Sequence, residues 1–287
     1  MSALTLPPSV NFHLTAACNM RCKGCFATFH DVKAGLPKGT LPAEDIVEIS
    51  ARLGQSFEKV TFAGGEPTLI PCLPEAMAAA RRGGATVNVV TNGSRIDAGW
   101  LRQHRDVLDW LTLSVDSPDP ETHRALGRAV KDRPLATDHY LRLAEAARAE
   151  GVRLKINTVV SALNLDEDFT GLLLALRPER WKIFQVLPID GQNDGSVEPL
   201  LIEGDRFERF VHRHRHLSWS GVRVVPESNA AMTGTYAMVS PDGRFYDNTT
   251  GRLRYGPAIL SAGLAAAWRG ISFDPEGFEA RGGRYDW

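Results

Sequence analysis

The feature that most restricts how this chain can fold is a repeated alternation of short apolar runs with stretches of helical periodicity. The runs are bounded by Gly, Pro, Asn or Asp, as expected of buried strands. They are Val10–Leu14, Val60–Ala63, Val87–Thr91, Leu111–Val115, Leu154–Val159 and Ile183–Leu187. Strands separated by helices predict parallel β–α–β units, and these units are fewer than the eight of a closed barrel. We therefore predict an α/β fold built on a partial (β/α)6 barrel.

Helical periodicity fills the intervals between the predicted strands. The predicted helices are one with Ile46, Ile49 and Leu53 on its buried face, one that begins after a Thr137 cap, and one from Leu165 to Leu176 that Pro178 ends. After Leu187 the alternation stops: residues 188–205 are rich in Gly, Pro and acidic residues, and one helix, Asp205–His216, precedes turn-rich sequence. We therefore expect residues 1–187 to form the barrel and residues 188–287 to form a C-terminal extension that covers its mouth within the same structural unit.

Charge and hydropathy argue against some classes of partner. A formal net charge of −1 provides no overall field that would attract nucleic acid or an anionic membrane. The longest apolar stretch, Ala258–Trp268, is shorter than the ~20 residues that span a bilayer, and residues 1–10 show no signal-peptide pattern. We therefore expect a cytoplasmic protein with no nucleic-acid partner and no membrane partner. Any anionic substrate must be held by a local cluster of Lys and Arg.

Three of the four cysteines lie close together, directly after the first predicted strand. The segment AACNMRCKGCF places thiols at Cys18, Cys22 and Cys25. Closely spaced thiolates on one loop can bind three irons of a [4Fe–4S] cluster, which leaves the fourth iron open to chelate the amino and carboxylate groups of S-adenosylmethionine (SAM). The alternatives are a zinc site without a visible fourth ligand, cysteines that are close only by chance, or a ferredoxin-type cluster with Cys72 as its fourth ligand.

Two motifs resemble those of the radical SAM superfamily. One is the C-x3-C-x2-C spacing followed by Phe26, and the other is Ala63–Pro67, AGGEP, which resembles the superfamily's GGEP motif. The resemblance implies that Gly64, Gly65 and Glu66 hold the amino group of SAM. Two glycines at a strand end also let the backbone approach a ligand closely. Taken alone, the motif would indicate only a tight turn.

Essentially the whole chain further resembles the viperin family. The segments that carry this resemblance, in the family's order, are Asn11–Thr15, Thr91–Ser94, Ser114–Ser117, Leu126–Arg128, Lys155–Asn157, Arg180–Gln185, Val225–Asn229 and Arg281–Tyr285. Viperins are radical SAM enzymes that dehydrate a nucleoside triphosphate to its 3′-deoxy-3′,4′-didehydro form, an antiviral chain terminator. The resemblance implies a [4Fe–4S] cluster and SAM as cofactors, and CTP, UTP or GTP as the substrate.

The resemblance also implies a set of site residues. For SAM they are Ser114 at the ribose, Arg128 at the carboxylate, and Asn92 and Ser94 at the border of the same cavity. For the nucleotide they are Asn11, Lys155, Asn157, Arg180 and Lys182, with Lys59 as a weaker candidate. Residues two apart on a strand, such as Lys155 and Asn157, can both face the barrel interior. Burying such cations without an anion is costly, which favours a phosphate site; the alternative is a set of exposed bases.

The turn-rich end supplies further candidates. Arg281 and Arg284 flank two glycines, and the backbone N–H groups between them could form a nest around a phosphate; the alternative is a frayed tail. Tyr236 occupies the position of the viperin tyrosine implicated in protonating the leaving hydroxyl, and the alternative is a packed tyrosine. Trp287 resembles the terminal tryptophan by which viperins dock iron–sulfur assembly factors; the alternative is an exposed end.

The implied reaction needs an electron source. A 5′-deoxyadenosyl radical would abstract the C4′ hydrogen of the nucleotide, the 3′-hydroxyl would leave as water, and a second electron would complete the 3′,4′ double bond. The resemblance therefore implies an electron donor of the flavodoxin or ferredoxin type as a partner.

Two departures from the viperin pattern leave the base open. The family's IEGE loop is Ile189–Gln192 here, and the segment that faces the base is Tyr246–Asn248. Animal viperins begin with a membrane-binding amphipathic helix, whereas this chain starts almost at the barrel, so we expect a soluble protein. The alternatives are another radical SAM enzyme, such as a peptide maturase, and a non-catalytic iron–sulfur regulator. Maturases commonly carry extra cysteine-ligated clusters, and only Cys72 is spare here.

Overall fold

The apolar runs form parallel strands in the computed structural model, which describes residues 5–287. In chain order the strands are β1 Ser9–His13, β2 Lys59–Ala63, β3 Thr86–Thr91, β4 Trp110–Ser114, β5 Arg153–Val160, β6 Arg180–Gln185 and β7 Arg223–Glu227. Each strand pairs in parallel with the next one along the chain. The first six confirm the predicted α/β partial barrel, and β7 extends it by one strand.

Helices connect the strands and cover the outer face of the sheet. They are α1 His30–Lys33, α2 Ala43–Ser56, α3 Leu73–Arg82, α4 Ala98–His104, α5 Pro120–Ala125, α6 Thr137–Ala149, α7 Thr170–Leu176 and α8 Gly204–His214. As predicted, Ile46, Ile49 and Leu53 form the buried face of α2. Outward-facing strand residues such as Phe12 and Phe62 join the same hydrophobic core. The inward-facing positions are thereby left for the interior of the barrel.

Three predicted boundaries are wrong. Helix α7 begins at Thr170 rather than Leu165, because the Asp168 carboxylate accepts the Thr170 backbone N–H at 2.8 Å and so fixes a turn before the helix. Thr137 does not cap α6 but is its first residue, and its hydroxyl donates to the Pro118 carbonyl at 3.1 Å. Strand β6 starts at Arg180, three residues before the predicted start. The apolar pattern misses these residues because the first inward-facing positions, Arg180 and Lys182, are cations.

The C-terminal segment adds strands at both edges of the barrel. Its further elements are α9 Asn229–Met232, β8 Met238–Val239, β9 Arg244–Asp247, β10 Arg254–Ala258, α10 Ile259–Ala262, α11 Leu264–Arg269 and α12 Pro275–Ala280. Strand β8 pairs in parallel with β1, and β9 and β10 follow in antiparallel pairing, so the ten-stranded sheet has the order β10-β9-β8-β1-β2-β3-β4-β5-β6-β7. Residues 228–237 thus connect the two edges of the parallel sheet. Because four of these residues form α9, the segment reaches only ~27 Å, less than the ~34 Å width of eight flat strands, so the sheet must curl.

Strand β7 was missed because Pro226 lies within it. Proline cannot donate a backbone hydrogen bond, and it is tolerated here because β7 is the last strand of the sheet. In residues 5–287 no helix combines the length and the apolar character needed to cross a bilayer. The expectation about a signal peptide rests in part on residues 1–4, which lie outside the described residues.

Candidate active site

The inward-facing strand residues line a central cavity of about 280 Å³. It contains polar side chains from most strands, in contrast to the apolar outer face of the sheet. The predicted site residues that line it are Asn11, Cys18, Cys22, Cys25, Gly64, Gly65, Glu66, Asn92, Ser114, Arg128, Asn157 and Tyr236. The structure therefore brings together residues that lie more than two hundred positions apart in the sequence.

A ladder of hydrogen bonds between polar side chains crosses the barrel interior on β2, β3 and β4. The Asn88 amide donates to Thr61 Oγ1 at 3.3 Å and accepts a hydrogen bond from the Thr112 hydroxyl at 2.8 Å, and all three residues are buried. Sequence reasoning missed this ladder, because isolated polar residues within apolar strands carry no motif. The only available signal was their period-2 placement opposite the apolar outer face.

The three thiols occupy the end of the cavity beyond the carboxyl end of β1. Burial raises the pKa of Cys18 and of Cys22, and raises that of Cys25 to about 12, while the neighbouring Arg128 guanidinium acts in the opposite direction on all three. Within residues 5–287 no three Cys, His, Asp or Glu side chains converge on one ion. A cubane does not require that convergence, because each thiolate binds a different iron. The donor set therefore fits a three-thiolate cluster.

Cys72 does not join the other thiols. It lies at the start of α3, half-buried against the hydrophobic core, and it is not part of the cavity wall. The ferredoxin-type alternative, which needs Cys72 as a fourth ligand beside the other three, therefore finds no support in the structure.

Glycines from two other loops hold the cysteine loop from either side. The Gly65 N–H donates to the Thr15 carbonyl at 2.6 Å, and a Cβ on Gly65 would overlap the carbonyl oxygen of Ala17. From the other side, a Cβ on Gly127 would overlap the carbonyl oxygen of Arg21. These glycines thus let the backbone pack closely against the cysteine loop. The prediction for Gly65 was instead that it lets the backbone approach a ligand.

Asn19, between the first two cysteines, is fixed by two residues that were predicted to border the SAM cavity. The Asn92 amide donates to Asn19 Oδ1 at 2.9 Å, and the Asn19 amide donates to the Ser94 hydroxyl at 2.8 Å. Asn92 lines the cavity, whereas Ser94 is not part of its wall. Both residues therefore hold the cysteine loop in place, and their contact with SAM stays a prediction.

Glu66 is buried at the cavity wall with most of its acceptor capacity in use. Its Oε1 accepts hydrogen bonds from the hydroxyls of Thr68 at 2.6 Å and Thr91 at 2.7 Å, and its Oε2 accepts one from the Asn92 N–H at 2.8 Å. These bonds fix the orientation of the carboxylate, and Oε2 still has a lone pair for a further donor.

Arg128 reaches the same cavity from the loop after α5. Its Nε donates to Asp116 Oδ2 at 2.6 Å, and Nη2 forms an ion pair with the same oxygen. The Asp116 carboxylate raises the pKa of Arg128, so the guanidinium stays charged although burial opposes it. The predicted fork onto the SAM carboxylate would have to use the donors that Asp116 leaves free.

The buried lysines and arginines of residues 5–287 form one cluster toward the amino ends of the strands. They are Lys59, Lys155, Arg180, Lys182 and Arg281, each at most 8% exposed. All were predicted as nucleotide contacts, and the alternative of exposed bases is contradicted for Lys155, Arg180 and Lys182. Burial and the neighbouring cations lower the pKa of Lys59 and of Lys155 well below the usual value. The Nε and Nη1 atoms of Arg180 are buried without a hydrogen-bond partner in the described chain.

Glu227 is the carboxylate that faces this cluster. It is fully buried and forms ion pairs with Lys182 and, at 3.2 Å, with Nη1 of Arg281. Tyr236 donates its hydroxyl hydrogen to Oε2 of Glu227, and its oxygen accepts a hydrogen bond from Lys182 Nζ at 2.9 Å. Glu227 lies within one of the segments that resemble viperin, but the sequence predicts no role for it.

The arginine–glycine turn after α12 does not form a phosphate nest. Its glycine N–H groups donate to the carbonyls of Glu279 and Phe278, and Gly282 has a φ of +72°, which is the Schellman arrangement that ends a helix. This turn directs Arg281 into the cluster. Arg284 instead lies half-exposed beside Glu58 and Glu279, apart from the buried cations, and its phosphate contact stays a prediction.

Aromatic residues from the end of the chain cover the cationic cluster. The Tyr285 hydroxyl accepts a hydrogen bond from Lys59, and its ring centroid lies 3.7 Å from Cζ of Arg180. The Trp287 ring lies 5.2 Å from Nζ of Lys59. The Tyr285 and Trp287 rings therefore pack against the barrel, so Trp287 is not the exposed end that was its alternative, and its docking of assembly factors stays a prediction.

Comparison with known proteins identifies the family to which this site belongs. The family model described as the radical SAM superfamily matches residues 12–174, which include the cysteine loop and the two glycine loops that hold it. The chain belongs to the radical SAM superfamily. A [4Fe–4S] cluster and SAM are the cofactors of this superfamily, which confirms the two predicted cofactors.

Within the radical SAM superfamily, the chain resembles several nucleotide dehydratases over its full length. It is 43% identical to the S-adenosylmethionine-dependent nucleotide dehydratase of Flammeovirga pacifica, over 100% of this chain and 98% of that one. The S-adenosylmethionine-dependent nucleotide dehydratase RSAD2 of Danio rerio is 34% identical, over 99% of this chain and 79% of that one. A relative from Lacinutrix mariniflava is 41% identical, although this chain spans only 60% of its length. These matches place the chain in that dehydratase family and confirm the viperin resemblance.

Solved structures of radical SAM proteins share the fold. SuiB of Streptococcus suis bound to S-adenosylmethionine superposes with a TM-score of 0.72 at 14% identity, over 98% of this chain and 69% of that one. The structure of native anSMEcpe with bound AdoMet gives a TM-score of 0.64 at 17% identity, over 84% and 74%. At these identities the likeness concerns the fold alone.

Proposed function

We propose that this chain is a radical SAM nucleotide dehydratase that converts a nucleoside triphosphate to its 3′-deoxy-3′,4′-didehydro form. One observation carries the proposal: three thiols line one end of the cavity, and five buried cations lie beyond the cavity wall, linked to it by Tyr236. A ligand that fills this interior needs a polyanionic group at one end and a reactive carbon toward the cysteine loop. A nucleoside triphosphate meets both requirements.

The energetics of the cationic cluster support a polyanion. Five buried cations face one buried carboxylate, Glu227, so the ligand-free cluster holds an excess of positive charge away from water. Such an excess is costly unless it is neutralised. The unpartnered donors of Arg180 and the lowered pKa of Lys155 are the signs of that cost. A triphosphate would supply the negative charge and several acceptors for charge-assisted hydrogen bonds.

The residues at the other end of the barrel suit SAM and its cluster. Cys18, Cys22 and Cys25 would bind the irons, while Glu66 would accept from the SAM amino group and Arg128 would face its carboxylate. When bound, this cofactor pair supplies a carbon-centred radical that removes the C4′ hydrogen of the substrate. The protein's own part is to orient the ribose and to exclude water from the cavity.

Tyr236 is the proposed proton donor for the leaving 3′-hydroxyl. It lies at the boundary between the cavity and the cationic cluster, since it lines the first and contacts Lys182 of the second. Burial raises the pKa of Tyr236 well above its usual value, so the phenol keeps its proton at neutral pH. A protonated phenol is the state that a general acid needs before the hydroxide leaves.

The finer parts of the proposal follow the viperin family. They comprise a CTP, UTP or GTP substrate, an electron donor of the flavodoxin or ferredoxin type, cluster loading by iron–sulfur assembly factors, and an antiviral product made in the cytoplasm. Asn11 and Asn157 line the cavity between its two ends and would contact the ribose side of the nucleotide.

The proposal is tested with anaerobically reconstituted protein, SAM, dithionite and each of the four NTPs in turn. Mass spectrometry should find 5′-deoxyadenosine together with a nucleotide lighter by one water, and a C4′-deuterated NTP should transfer its label to the 5′-deoxyadenosine. A Lys182→Ala variant should bind the NTP many-fold more weakly while SAM binding changes much less, since each charge-assisted contact contributes ~1.5–3 kcal/mol. Absence of label transfer with every NTP would refute the dehydratase.

A further inference from the structure

Glu227 is unexpected in a pocket built to hold an anion. A carboxylate repels phosphate, so a site that served only to bind a triphosphate would be stronger without it. Glu227 is nevertheless fully buried, at the end of β7, among the buried cations. Its presence therefore needs an explanation beyond phosphate binding.

The contacts of Glu227 form a closed triangle with Tyr236 and Lys182. Oε1 contacts the Lys182 ammonium, Oε2 accepts the Tyr236 hydroxyl hydrogen, and the ammonium also donates to the tyrosine oxygen at 2.9 Å. A counter-ion alone would not need to contact the phenol. Arg281 closes the arrangement from the other side, with Nη1 at 3.2 Å from Oε1 and Cζ at 3.6 Å from the centroid of the Tyr236 ring.

We propose that Glu227 is the positioning residue of the dehydration step, which holds the Tyr236 hydroxyl against the Lys182 ammonium so that the phenol can protonate the leaving 3′-hydroxyl. The inference rests on the proposed function and deepens it. Glu227 does not touch the substrate in this assignment. It acts through the two groups that it orients.

The proton and electron balance of the step is simple. The C3′–O bond breaks and its electron pair leaves on oxygen. The Tyr236 hydrogen turns from Glu227 toward this oxygen, and the hydroxide takes it to become water. The remaining phenolate contacts the Lys182 ammonium and the Arg281 guanidinium, which offset the charge of the Glu227 carboxylate beside it. The nucleotide is then one electron short of the alkene, and the electron donor supplies that electron. Solvent returns a proton to Tyr236 after product release.

The charges around Glu227 agree with this role. Lys182 and Arg281 lower the pKa of Glu227, so its carboxylate stays ionised and accepts the phenol hydrogen rather than competing as an acid. Burial lowers the pKa of Lys182 to about 8 although Glu227 opposes this, so the ammonium depends on the carboxylate to remain charged at neutral pH. Removing the carboxylate should therefore disturb both partners.

The test is Glu227→Gln, which keeps the size of the side chain and removes its charge. At saturating NTP the variant should cleave SAM and abstract the C4′ hydrogen normally. Its Kd for the NTP is measured separately, because the lost repulsion and the lower charge on Lys182 act in opposite directions. Dehydrated product per 5′-deoxyadenosine should fall about tenfold or more, since a misplaced general acid loses part of its ~10²–10⁴-fold contribution. Glu150→Gln, which changes a glutamate paired with surface arginines, is the matched control and should keep the wild-type ratio.

A double-mutant cycle separates positioning from a folding role. Glu227→Gln combined with Tyr236→Phe should form no less product than Tyr236→Phe alone, because Glu227 acts only through that hydroxyl. Chemical denaturation of the cluster-free proteins gives a second readout, in which the two substitutions should again be coupled. If Glu227→Gln does not fold, Glu227→Asp is the second variant. It retains the charge but moves the carboxylate one methylene away from Tyr236 and Lys182, and it should show the same fall in product ratio.

Two results would overturn the assignment: a wild-type product ratio in the folded Glu227 variant, or product losses that simply multiply in the double variant. The proposed function fails in a different way. If the wild-type enzyme dehydrates no NTP, the dehydratase itself is refuted. If the wild-type enzyme dehydrates an NTP and the Glu227→Gln variant does so equally well, only the positioning role is refuted.

Discussion

Single residues show most clearly what the sequence could and could not reveal. The five buried cations were all predicted, and Lys155, Arg180 and Lys182 came from the viperin resemblance and their alternating strand positions. Arg281 came from the arginine–glycine segment, and Lys59 was a weaker candidate. Glu227 and Asn19 received no role, because their contacts come from β6 and from the turn after β3, and nothing in their local sequence encodes those partners. Pairwise chemistry between distant side chains is set by the fold.

Replacing Lys155 by Met should stabilise the ligand-free protein at pH 6, by on the order of 1–4 kcal/mol, since a buried charge is exchanged for a packed side chain. Because burial and neighbouring cations lower the pKa of Lys155, the folded state loses this proton before the unfolded state does. Wild-type stability therefore rises relative to the variant as pH increases toward ~10, where the difference should vanish. Urea unfolding across this pH range measures the difference. The exposed Lys33→Met control should show no such convergence, and a less stable Lys155→Met variant at pH 6 would contradict the prediction.

The cysteines give a second prediction about single residues. Cys22→Ala should abolish SAM cleavage, because two thiolates cannot hold three corners of the cubane, and reconstituted wild-type protein should contain about four irons per chain. Cys72→Ala should retain cleavage, since Cys72 is outside the cavity wall. Chromatography of 5′-deoxyadenosine provides the measurement. Cleavage at the wild-type rate by Cys22→Ala would exclude the three-thiolate cluster.

Among the elements, the strands were predicted far better than the loops and the C-terminal segment. Six strands follow from their apolar runs and flanking turn residues, whereas β7 was hidden by Pro226, and the two-residue β8 has too little sequence to carry a pattern. Strands such as these are defined by hydrogen bonds to neighbouring strands, which the local sequence does not show. The division at residue 187 was drawn from the same loss of periodicity and stays a prediction, while the structure shows both segments contributing to one sheet.

Contact between the glycine loop after β2 and the cysteine loop after β1 leads to a third prediction. Gly65→Ala should destabilise the protein by about 1–3 kcal/mol, because the added Cβ would overlap the Ala17 carbonyl and one of the two loops must shift. Iron content after reconstitution should fall with it. Gly171→Ala, in α7, adds a Cβ that meets nothing within 4 Å and should leave both stability and iron content intact. Equal behaviour of the two variants would show that the loops tolerate the overlap.

At the scale of the whole molecule, the charge inside the barrel links the stability of the fold to the binding of a ligand. The excess positive charge inside the barrel lowers the stability of the ligand-free protein, and an anion that neutralises it should restore that stability. Most of the architecture was predictable because the strand–helix alternation is a property of the whole chain. The role of the C-terminal segment in connecting both edges was not, because it depends on how far the sheet curls.

A nucleoside triphosphate or inorganic tripolyphosphate should therefore raise the thermal stability of the cluster-free protein. At a hundredfold excess over Kd the added stability should be about 2.7 kcal/mol. The shift should shrink as salt is added, because screening weakens the attraction, and it should be largely lost in Lys155→Met. Orthophosphate at the same concentration is the control and should act more weakly. No shift in Tm with tripolyphosphate would mean that the cationic cluster is not an anion site.

Pairing between β1 and β8 also has a consequence for the order of events during synthesis. Strand β1 and the cysteine loop leave the ribosome first, whereas β8, which pairs with β1 through Asn11 and Met238, follows more than two hundred residues later. At ordinary translation rates that interval is on the order of 10–50 s. During this time the cysteine loop is present without the strand that pairs with β1 on its other edge. The order of the chain therefore places the cluster ligands among the first parts synthesised and the closure of the barrel among the last.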